Sequence, residues 1–202
     1  MATEATPKVV SPNKLAHVVL RTKQIDKMVD WYLDFLGARI AHRNPQLAFI
    51  TYDDEHHRLA FVNLPHIQDK VRQSAGLEHI AFTFASLRDL LTAYQQRLAL
   101  PEPVKPVWCI NHRTTTSMYY KDPDGNLLET QIDNFGDDVV MANKIMESDS
   151  MANNPFGFDF DPDELLRQVE AEGEEATLRK LQNPVDDGAP RGMETVPEAY
   201  MN

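Results

Sequence analysis

An internal repeat constrains the fold of this chain more than any other feature of its sequence. At a constant offset of 62 residues, the segment LAHVVLRTKQIDKMVDWYLDFLG, from Leu15, aligns with LEHIAFTFASLRDLLTAYQQRLA, from Leu77, and His17 then pairs with His79. Such a period indicates one structural unit used twice. A single unit of about 50 residues cannot enclose a core alone, so the two copies should pack as a pair.

Each copy has the pattern of a β-strand, an amphipathic helix and three further strands. In the first copy, apolar residues at 25, 28, 29, 32, 33 and 36 form one helical stripe, and Gly37 ends the helix. The three later strands are predicted at about 38–43, 47–53 and 57–63 in the first copy, and at about 104–110, 115–121 and 126–132 in the second. The sequence therefore predicts an α+β fold of two tandem βαβββ modules.

Charge divides the chain near residue 134. Residues 134–202 hold 16 acidic and 5 basic side chains, which accounts for the whole net charge of −11, so the preceding residues are neutral. We predict a flexible N-terminus at 1–12 and a two-module domain at 13–133, with modules at about 13–64 and about 76–133. An acidic C-terminal extension then covers 134–202.

The extension is expected to be partly helical. Asp161 or Asp163 is the predicted N-cap of a helix that weakens near Gly173, with a thin apolar stripe at Leu165, Leu166, Val169 and Leu178. Three Phe residues in NPFGFDF can anchor the extension to the core or to a second subunit, and NPVDDGAPRGMETVPEAYMN is predicted to be flexible. We expect a partly ordered surface addition rather than a regulatory element.

Composition argues against several classes of function. The net charge of −11 argues against nucleic acid or an acidic membrane surface as a partner, and no apolar stretch reaches the roughly 18 residues of a membrane span. The start, MATEATPKVVSPNK, lacks an apolar signal core, so a cytoplasmic location is expected. Cys109 is the single cysteine, so any metal must be bound by His and carboxylate side chains.

Two tandem βαβββ modules resemble the vicinal oxygen chelate superfamily, which includes glyoxalase I, fosfomycin-resistance and bleomycin-resistance proteins and type I extradiol dioxygenases. The resemblance covers roughly residues 13–133. It implies a curled sheet around a metal, with His17 and His79 from the first strands and Glu129 from the last strand as ligands. Two His and one carboxylate leave coordination positions open, which suits Fe(II), with Mn(II) possible.

The residues near these predicted ligands favour a metal site with three protein ligands. The segment LAFVN has no acid or His where glyoxalase I has a fourth ligand, which favours a three-ligand site. Glu129 lies in the apolar run LLETQ, where an unpaired carboxylate would be unfavourable.

The segment INHRTTTSMYYKDPDGNLLETQ, residues 110–131, resembles the extradiol ring-cleavage motif along its full length. The resemblance implies that His112 lies beside a metal-bound substrate and that Tyr119 hydrogen-bonds to a catecholate oxygen. Likewise, EHHRLA, residues 55–60, resembles the segment whose second His lies by the O2 site, which indicates His57. His56 would point to the opposite face of the strand. Tyr120 is predicted to be packing, and His42 and His66 are predicted to be exposed.

The sequence also departs from better-known members of this family. One pair of modules is present instead of two, and NLPHIQDKVRQSAG is an apparent loop insertion before the second His ligand.

The resemblance implies an extradiol dioxygenase that opens a catechol-type diol with O2, next to the diol rather than between its oxygens. His57 or His112 would exchange the proton, and Tyr119 would orient the ring. A small aromatic diol and O2 are the expected partners, and a homo-oligomer is possible.

Two alternatives remain open. One is a lyase or transferase with the same His-His-Glu ligands and Mn(II) or another divalent ion, as in glyoxalase-like or fosfomycin-resistance proteins. It would not need His112 or Tyr119. The other is a non-enzymatic protein that sequesters a small aromatic molecule, as bleomycin-resistance proteins do, and it would purify without stoichiometric metal.

Overall fold

The computed structural model of this chain describes residues 9–185 and 188–202. The chain divides into two compact units, Met1–Ile67 and Gln68–Asn202. Most of the predicted flexible N-terminus lies outside the described residues, and its residues 9–12 are exposed and in neither helix nor strand. In the described part of the chain, no helix is long and apolar enough to cross a membrane.

The first unit is a four-stranded mixed sheet with one helix. Its elements are β1 (Val18–Thr22), α1 (Ile25–Leu36), β2 (Arg39–Arg43), β3 (Leu47–Thr51) and β4 (Leu59–Asn63). The strand order is β1-β4-β3-β2, with β1 parallel to β4 and the other pairs antiparallel. Residues 18–63 therefore form a βαβββ unit.

Helix α1 follows the predicted stripe along most of its length. Ile25, Met28, Val29 and Tyr32 are buried against β3 and β4. At the C-terminal end Phe35 is buried rather than Leu33 or Leu36. Gly37 ends the helix in the left-handed conformation, at φ 61°, and its N–H bonds to the Leu33 carbonyl.

The second unit repeats this plan and adds to it. Its repeated elements are β5 (His79–Thr83), α2 (Leu87–Leu98), β6 (Trp108–Asn111), β7 (Thr115–Lys121) and β8 (Leu127–Asp133). The added elements are α3 (Val139–Met146), α4 (Asp149–Asn153), β9 (Phe158–Asp159), α5 (Pro162–Glu172), α6 (Glu174–Gln182), a 3-10 turn (Met193–Thr195) and α7 (Glu198–Met201). The sheet order is β5-β8-β7-β6-β9, with β5 parallel to β8. The predicted α+β class is confirmed.

The turn between β7 and β8 fixes the register of this hairpin. Asp122 Oδ1 accepts hydrogen bonds from the N–H groups of Asp124 and Asn126, at 2.9 and 2.8 Å. Gly125 supplies the positive φ of 78° that closes the turn. The resulting register places Tyr119 opposite Glu129.

The extension packs on the second sheet through elements that the sequence predicts only in part. Asp161 caps α5 as expected, and Gly173, at φ 87°, separates α5 from α6. Strand β9 pairs with β6 and was not predicted, because two residues carry no periodic pattern. The last 20 residues were predicted to be flexible, but they contain the 3-10 turn and α7, where Tyr200 is buried.

Candidate functional site

His79 and Glu129 meet on the second sheet because their strands are adjacent. His79 is the first residue of β5 and Glu129 the third of β8, and the parallel register pairs Ala81 with Glu129. His79 Nε2 lies 2.9 Å from Glu129 Oε2. The sequence repeat and the apolar run LLETQ thus pointed to two residues that are in direct contact.

Glu129 is charged although it is buried, with 4% of its surface exposed. Burial raises the pKa of its carboxyl, but hydrogen bonds with His79 and Ser117 outweigh burial and hold that pKa below its usual range. A buried carboxylate kept ionised in this way is a suitable ligand for a divalent cation.

The donor atoms of this pair fit a metal. His79 Nδ1 is buried and has no hydrogen-bond partner among the described residues, so the ring is held by a hydrogen bond at Nε2 but not at Nδ1. Adjacent ligands of an octahedral ion with bonds of about 2.1 Å are about 3 Å apart. The separation of 2.9 Å between the two donor atoms is compatible with this spacing.

The ring of His112 lies between the extension and β7. Its Nδ1 is 2.6 Å from the Phe156 carbonyl oxygen, and its Nε2 is 3.0 Å from the Tyr119 hydroxyl. Because a carbonyl only accepts, Nδ1 must carry a proton, and Nε2 of the neutral ring then accepts from the hydroxyl. Burial lowers the pKa of His112, against the opposite effects of Glu129 and the Phe156 carbonyl, so the ring is neutral at pH 7.

Tyr119 connects the two histidines of this unit. Its ring centroid lies 5.4 Å from that of His79, in an edge-to-face arrangement, while its hydroxyl contacts His112. Burial, followed by the charge of Glu129, raises the pKa of Tyr119 well above its usual value. The phenol therefore stays protonated and can act as a hydrogen-bond donor.

His17 and His57 belong to the first unit, where they lie side by side. His17 directly precedes β1 rather than lying within it, and its ring centroid is 4.4 Å from that of His57. His57 also stacks on Phe49, with centroids 4.7 Å apart. Burial and then the neighbouring His17 and His56 lower the pKa of His57.

The predicted orientation of His56 is wrong. The strand was expected to start at residue 57, which would send neighbouring side chains to opposite faces, but β4 starts at Leu59. His56 and His57 lie in the bend before the strand, where alternation does not apply, and their ring centroids are 4.4 Å apart. His42 and His66 are exposed and Tyr120 is fully buried, as predicted.

The predicted site residues therefore form two groups. His79, Glu129, Tyr119 and His112 are linked by contacts within the second unit, and His17 contacts His57 within the first. In residues 9–185 and 188–202, no group of three or more His, Cys, Asp or Glu side chains is arranged to hold a metal. The three-ligand set His17, His79 and Glu129 remains a prediction.

Sequence reasoning missed the residues that surround His112 and Tyr119. Trp108 stacks on Tyr119, with centroids 5.4 Å apart, and Tyr200 meets the same ring edge-on at 5.2 Å. The Phe156 carbonyl that contacts His112 is a backbone group, which no side-chain pattern could identify. The cluster of Phe residues in NPFGFDF was the one available signal for this contact.

Comparison with known proteins identifies the family of this chain. Residues 14–130 match the family described as Glyoxalase/Bleomycin resistance protein/Dioxygenase superfamily. Biphenyl-2,3-diol 1,2-dioxygenase 3 of Rhodococcus globerulus is 38% identical over 167 residues, which are 82% of this chain and 86% of the relative. Biphenyl-2,3-diol 1,2-dioxygenase 2 of the same organism is 41% identical over 150 residues, or 74% and 77%.

A weaker match is to a different enzyme class. Lactoylglutathione lyase of Neisseria meningitidis (serogroup A) is 28% identical over 135 residues, which are 63% of this chain and 96% of the relative. The dioxygenases are thus more similar and match more of the chain. This chain belongs to the Glyoxalase/Bleomycin resistance protein/Dioxygenase superfamily, and within it to the ring-cleaving dioxygenases.

Proposed function

We propose that this enzyme opens the ring of a catechol-type aromatic diol, of the kind named by its biphenyl-2,3-diol relatives, with O2 at a single Fe(II) ion. His17, His79 and Glu129 would hold the ion, with Mn(II) as the alternative. Both atoms of O2 would enter the product, and the carbon–carbon bond next to the diol would break. We further propose that the reaction takes place in the cytoplasm.

The contact between His79 and Glu129 supports the metal assignment. Two donor atoms lie 2.9 Å apart, the carboxylate is ionised despite burial, and the second ring nitrogen of His79 has no partner in the described residues. When bound, Fe(II) would supply the open coordination positions at which the diol and O2 meet. The residues around it would then bind the diol and move protons.

Tyr119 and His112 are suited to those tasks. Tyr119 keeps its proton, which it can donate either to His112 Nε2 or to a substrate oxygen. His112 is neutral and presents Nε2, an acceptor, toward the Tyr119 hydroxyl, so a proton can pass between these atoms. This pair beside the His79–Glu129 pair is the observation that carries the proposal, because a lyase that binds a divalent ion needs neither residue.

His57 is assigned a supporting role near O2. The lowered pKa of its imidazole keeps the ring neutral, and a neutral ring can accept a proton near pH 7. Its contact with the predicted ligand His17 supports this position.

Anaerobic reconstitution tests the proposal. The protein is loaded with Fe(II), its iron content is measured, and O2 uptake is followed with biphenyl-2,3-diol, catechol and 3-methylcatechol. We expect one iron per chain and a yellow ring-opened product. No uptake with any diol, together with conversion of the glutathione–methylglyoxal adduct to lactoylglutathione, would establish the lyase instead, and a protein that retains no iron would favour the binding-protein alternative.

Matched variants test the residue roles. Tyr119→Phe should lower kcat by about 100-fold, within the usual range for lost proton-transfer groups, while Tyr120→Phe, a change at the adjacent buried tyrosine, should not. His112→Gln should behave like Tyr119→Phe, with the exposed His42→Gln as its control. Equal kcat values in the two tyrosine variants would remove Tyr119 from the mechanism.

A further inference from the structure

The C-terminal extension contacts both residues assigned to proton transfer. The Phe156 carbonyl accepts a hydrogen bond from His112 Nδ1, at 2.6 Å. The Tyr200 ring packs edge-on against Tyr119, with centroids 5.2 Å apart. These contacts come from two parts of the extension, 44 residues apart in sequence.

The Phe156 carbonyl is held in place by its neighbours. The Asn154 side chain accepts a hydrogen bond from the Gly157 N–H, at 2.7 Å, and donates one to the Gly157 carbonyl, at 2.9 Å. The buried Arg113 donates to the Asn154 carbonyl, at 2.7 Å. A side chain next to His112 thus fixes the loop that reaches back to His112.

Gly157 brings this loop close to the sheet. It has a φ of 101°, and a Cβ at this position would overlap the Asn111 carbonyl. The next residues pair with β6, Phe158 opposite Asn111 and Asp159 opposite Ile110. Only glycine allows this backbone conformation and this approach together.

This loop determines the tautomer of His112. In the absence of the Phe156 carbonyl, a neutral imidazole can carry its proton on either nitrogen. The carbonyl requires the proton on Nδ1, which leaves Nε2 as the acceptor that faces Tyr119. The opposite tautomer would present a donor, rather than an acceptor, to the Tyr119 hydroxyl.

Tyr200 is also held in place by its neighbours. Its hydroxyl donates to Glu78 Oε1, at 3.0 Å, and its ring lies under the Arg72 guanidinium and against Trp108. Lys121, at the end of β7, donates to the Ala199 carbonyl, at 2.6 Å. Trp108, which stacks on the face of Tyr119, and Tyr200, which meets that ring edge-on, therefore both restrict its motion.

Similarity to the dioxygenases also reaches the extension. The match to the first dioxygenase covers 82% of this chain, which is more than the 133 residues that precede the extension. The lyase match, at 63%, is short enough to lie within those residues.

We propose that the C-terminal extension is part of the reaction site: the Phe156 carbonyl sets the tautomer of His112, and Tyr200 holds the ring of Tyr119. This inference rests on the proposed roles of His112 and Tyr119. Phe156 and Tyr200 are positioning residues, since they act through these two side chains.

A spectroscopic experiment tests the Phe156 contact without relying on activity. Nitrogen-15 spectra of histidine-labelled, metal-free protein report which ring nitrogen of His112 carries the proton, and His112→Gln assigns the signal. Asn154→Ala should release the carbonyl and shift His112 from the Nδ1–H form to a mixture of tautomers. Asn153→Ala, a change at the exposed preceding residue, should leave the signal unchanged.

A second set of variants tests Tyr200. Tyr200→Leu should change the Tyr119 ring signals in carbon-13 tyrosine spectra and lower kcat for the best diol about tenfold with little change in KM. Tyr200→Phe should recover most of that loss because it keeps the ring. Tyr94→Phe is the matched control, since it removes another tyrosine–carboxylate bond that involves the extension, from Tyr94 to Asp163 at 2.9 Å.

The outcomes separate this inference from the proposed function. Unchanged His112 and Tyr119 signals in folded Asn154→Ala and Tyr200→Leu proteins would overturn it, whatever the activity. If Asn154→Ala does not fold, Asn154→Asp, which keeps the acceptor but loses the donor, takes its place under the same criterion. If the variants shift the His112 and Tyr119 signals but the protein cleaves no diol, the positioning roles of Phe156 and Tyr200 would be supported. Only the dioxygenase proposal would then be refuted.

Discussion

The two units share one βαβββ plan but differ in what covers their sheets. In the first unit, the edge strand β2 is exposed along all five residues. In the second, the corresponding strand β6 is paired with β9, and its Ile110 and Asn111 are buried. The same local pattern therefore gives an open surface or an enclosed site, depending on whether further chain is available to cover it.

This difference changes the electrostatics of the histidines. In the first unit, burial and then the neighbouring His17 and His56 lower the pKa of His57, and Glu55 opposes them. His112, in the second, is enclosed by the extension and faces the buried Glu129. Enclosure strengthens each electrostatic interaction, because less water screens it.

The reactivity of the Cys109 thiol, in β6, is the property that we expect this enclosure to change most. Burial, followed by the charges of Asp161, Asp159 and Asp163, raises its pKa from 9.0 to about 12. The thiolate fraction at about pH 8 should fall about 1,000-fold, since each pKa unit is a factor of ten. We expect iodoacetamide to modify the folded protein far more slowly than the urea-unfolded protein.

The rate of modification of the folded protein should rise with pH up to about 12, because the fraction of reactive thiolate keeps increasing until the pH reaches the raised pKa. Rapid modification of the folded protein at about pH 8 would contradict the enclosure of β6.

Glycine substitutions compare the two units directly. Gly157→Ala should lower the free energy of unfolding by about 4 kcal/mol, because the new Cβ would overlap the Asn111 carbonyl and φ is 101°. Gly37→Ala has a positive φ but nothing within 4 Å, so about 1 kcal/mol is expected. Urea denaturation measures both values, and equal losses would mean that the extension does not press against β6.

Isoleucine substitutions compare the two corresponding strands. Ile110→Ala in β6 should lower the free energy of unfolding by about 3 kcal/mol, since the side chain is fully buried. Ile40→Ala in β2, where the residue is 45% exposed, should change it by less than about 1 kcal/mol. The same urea titration applies, and a large loss for Ile40→Ala would show that β2 is covered in solution.

Replacement of the buried carboxylate tests the metal assignment in the enclosed unit. Glu129→Gln should weaken Fe(II) binding by at least about 100-fold, because the neutral amide neither balances the charge of the ion nor replaces the carboxylate. Glu175→Gln, in an exposed ion pair with Arg179, should have no effect. Anaerobic titration followed by iron analysis measures both, and retained affinity in Glu129→Gln would remove Glu129 from the ligand set.

Much of the fold was predictable because local patterns determine it. Residue spacing indicated α1 and α2, Gly37 marked the end of a helix, and Asp122 to Gly125 marked the hairpin turn. The repeat placed His79 in the first strand of the second copy, and the structure pairs that strand with the one that holds Glu129. The boundaries of β4 and β6 were less accurate, since turn residues and strand ends have similar composition.

The sequence by itself determined the two βαβββ units and the pairing of His17 with His79, because apolar periodicity and the 62-residue repeat are local patterns along the chain. The resemblance to the extradiol motif predicted His57, His112, Tyr119 and Glu129. Only the tertiary structure decided that the extension encloses the second unit, that Phe156 reaches His112 and that Tyr200 reaches Tyr119. The physical reason is the separation along the sequence of the residues that come into contact. A backbone carbonyl has no side-chain signature, and contacts between residues 44 or 81 positions apart depend on packing rather than on local pattern.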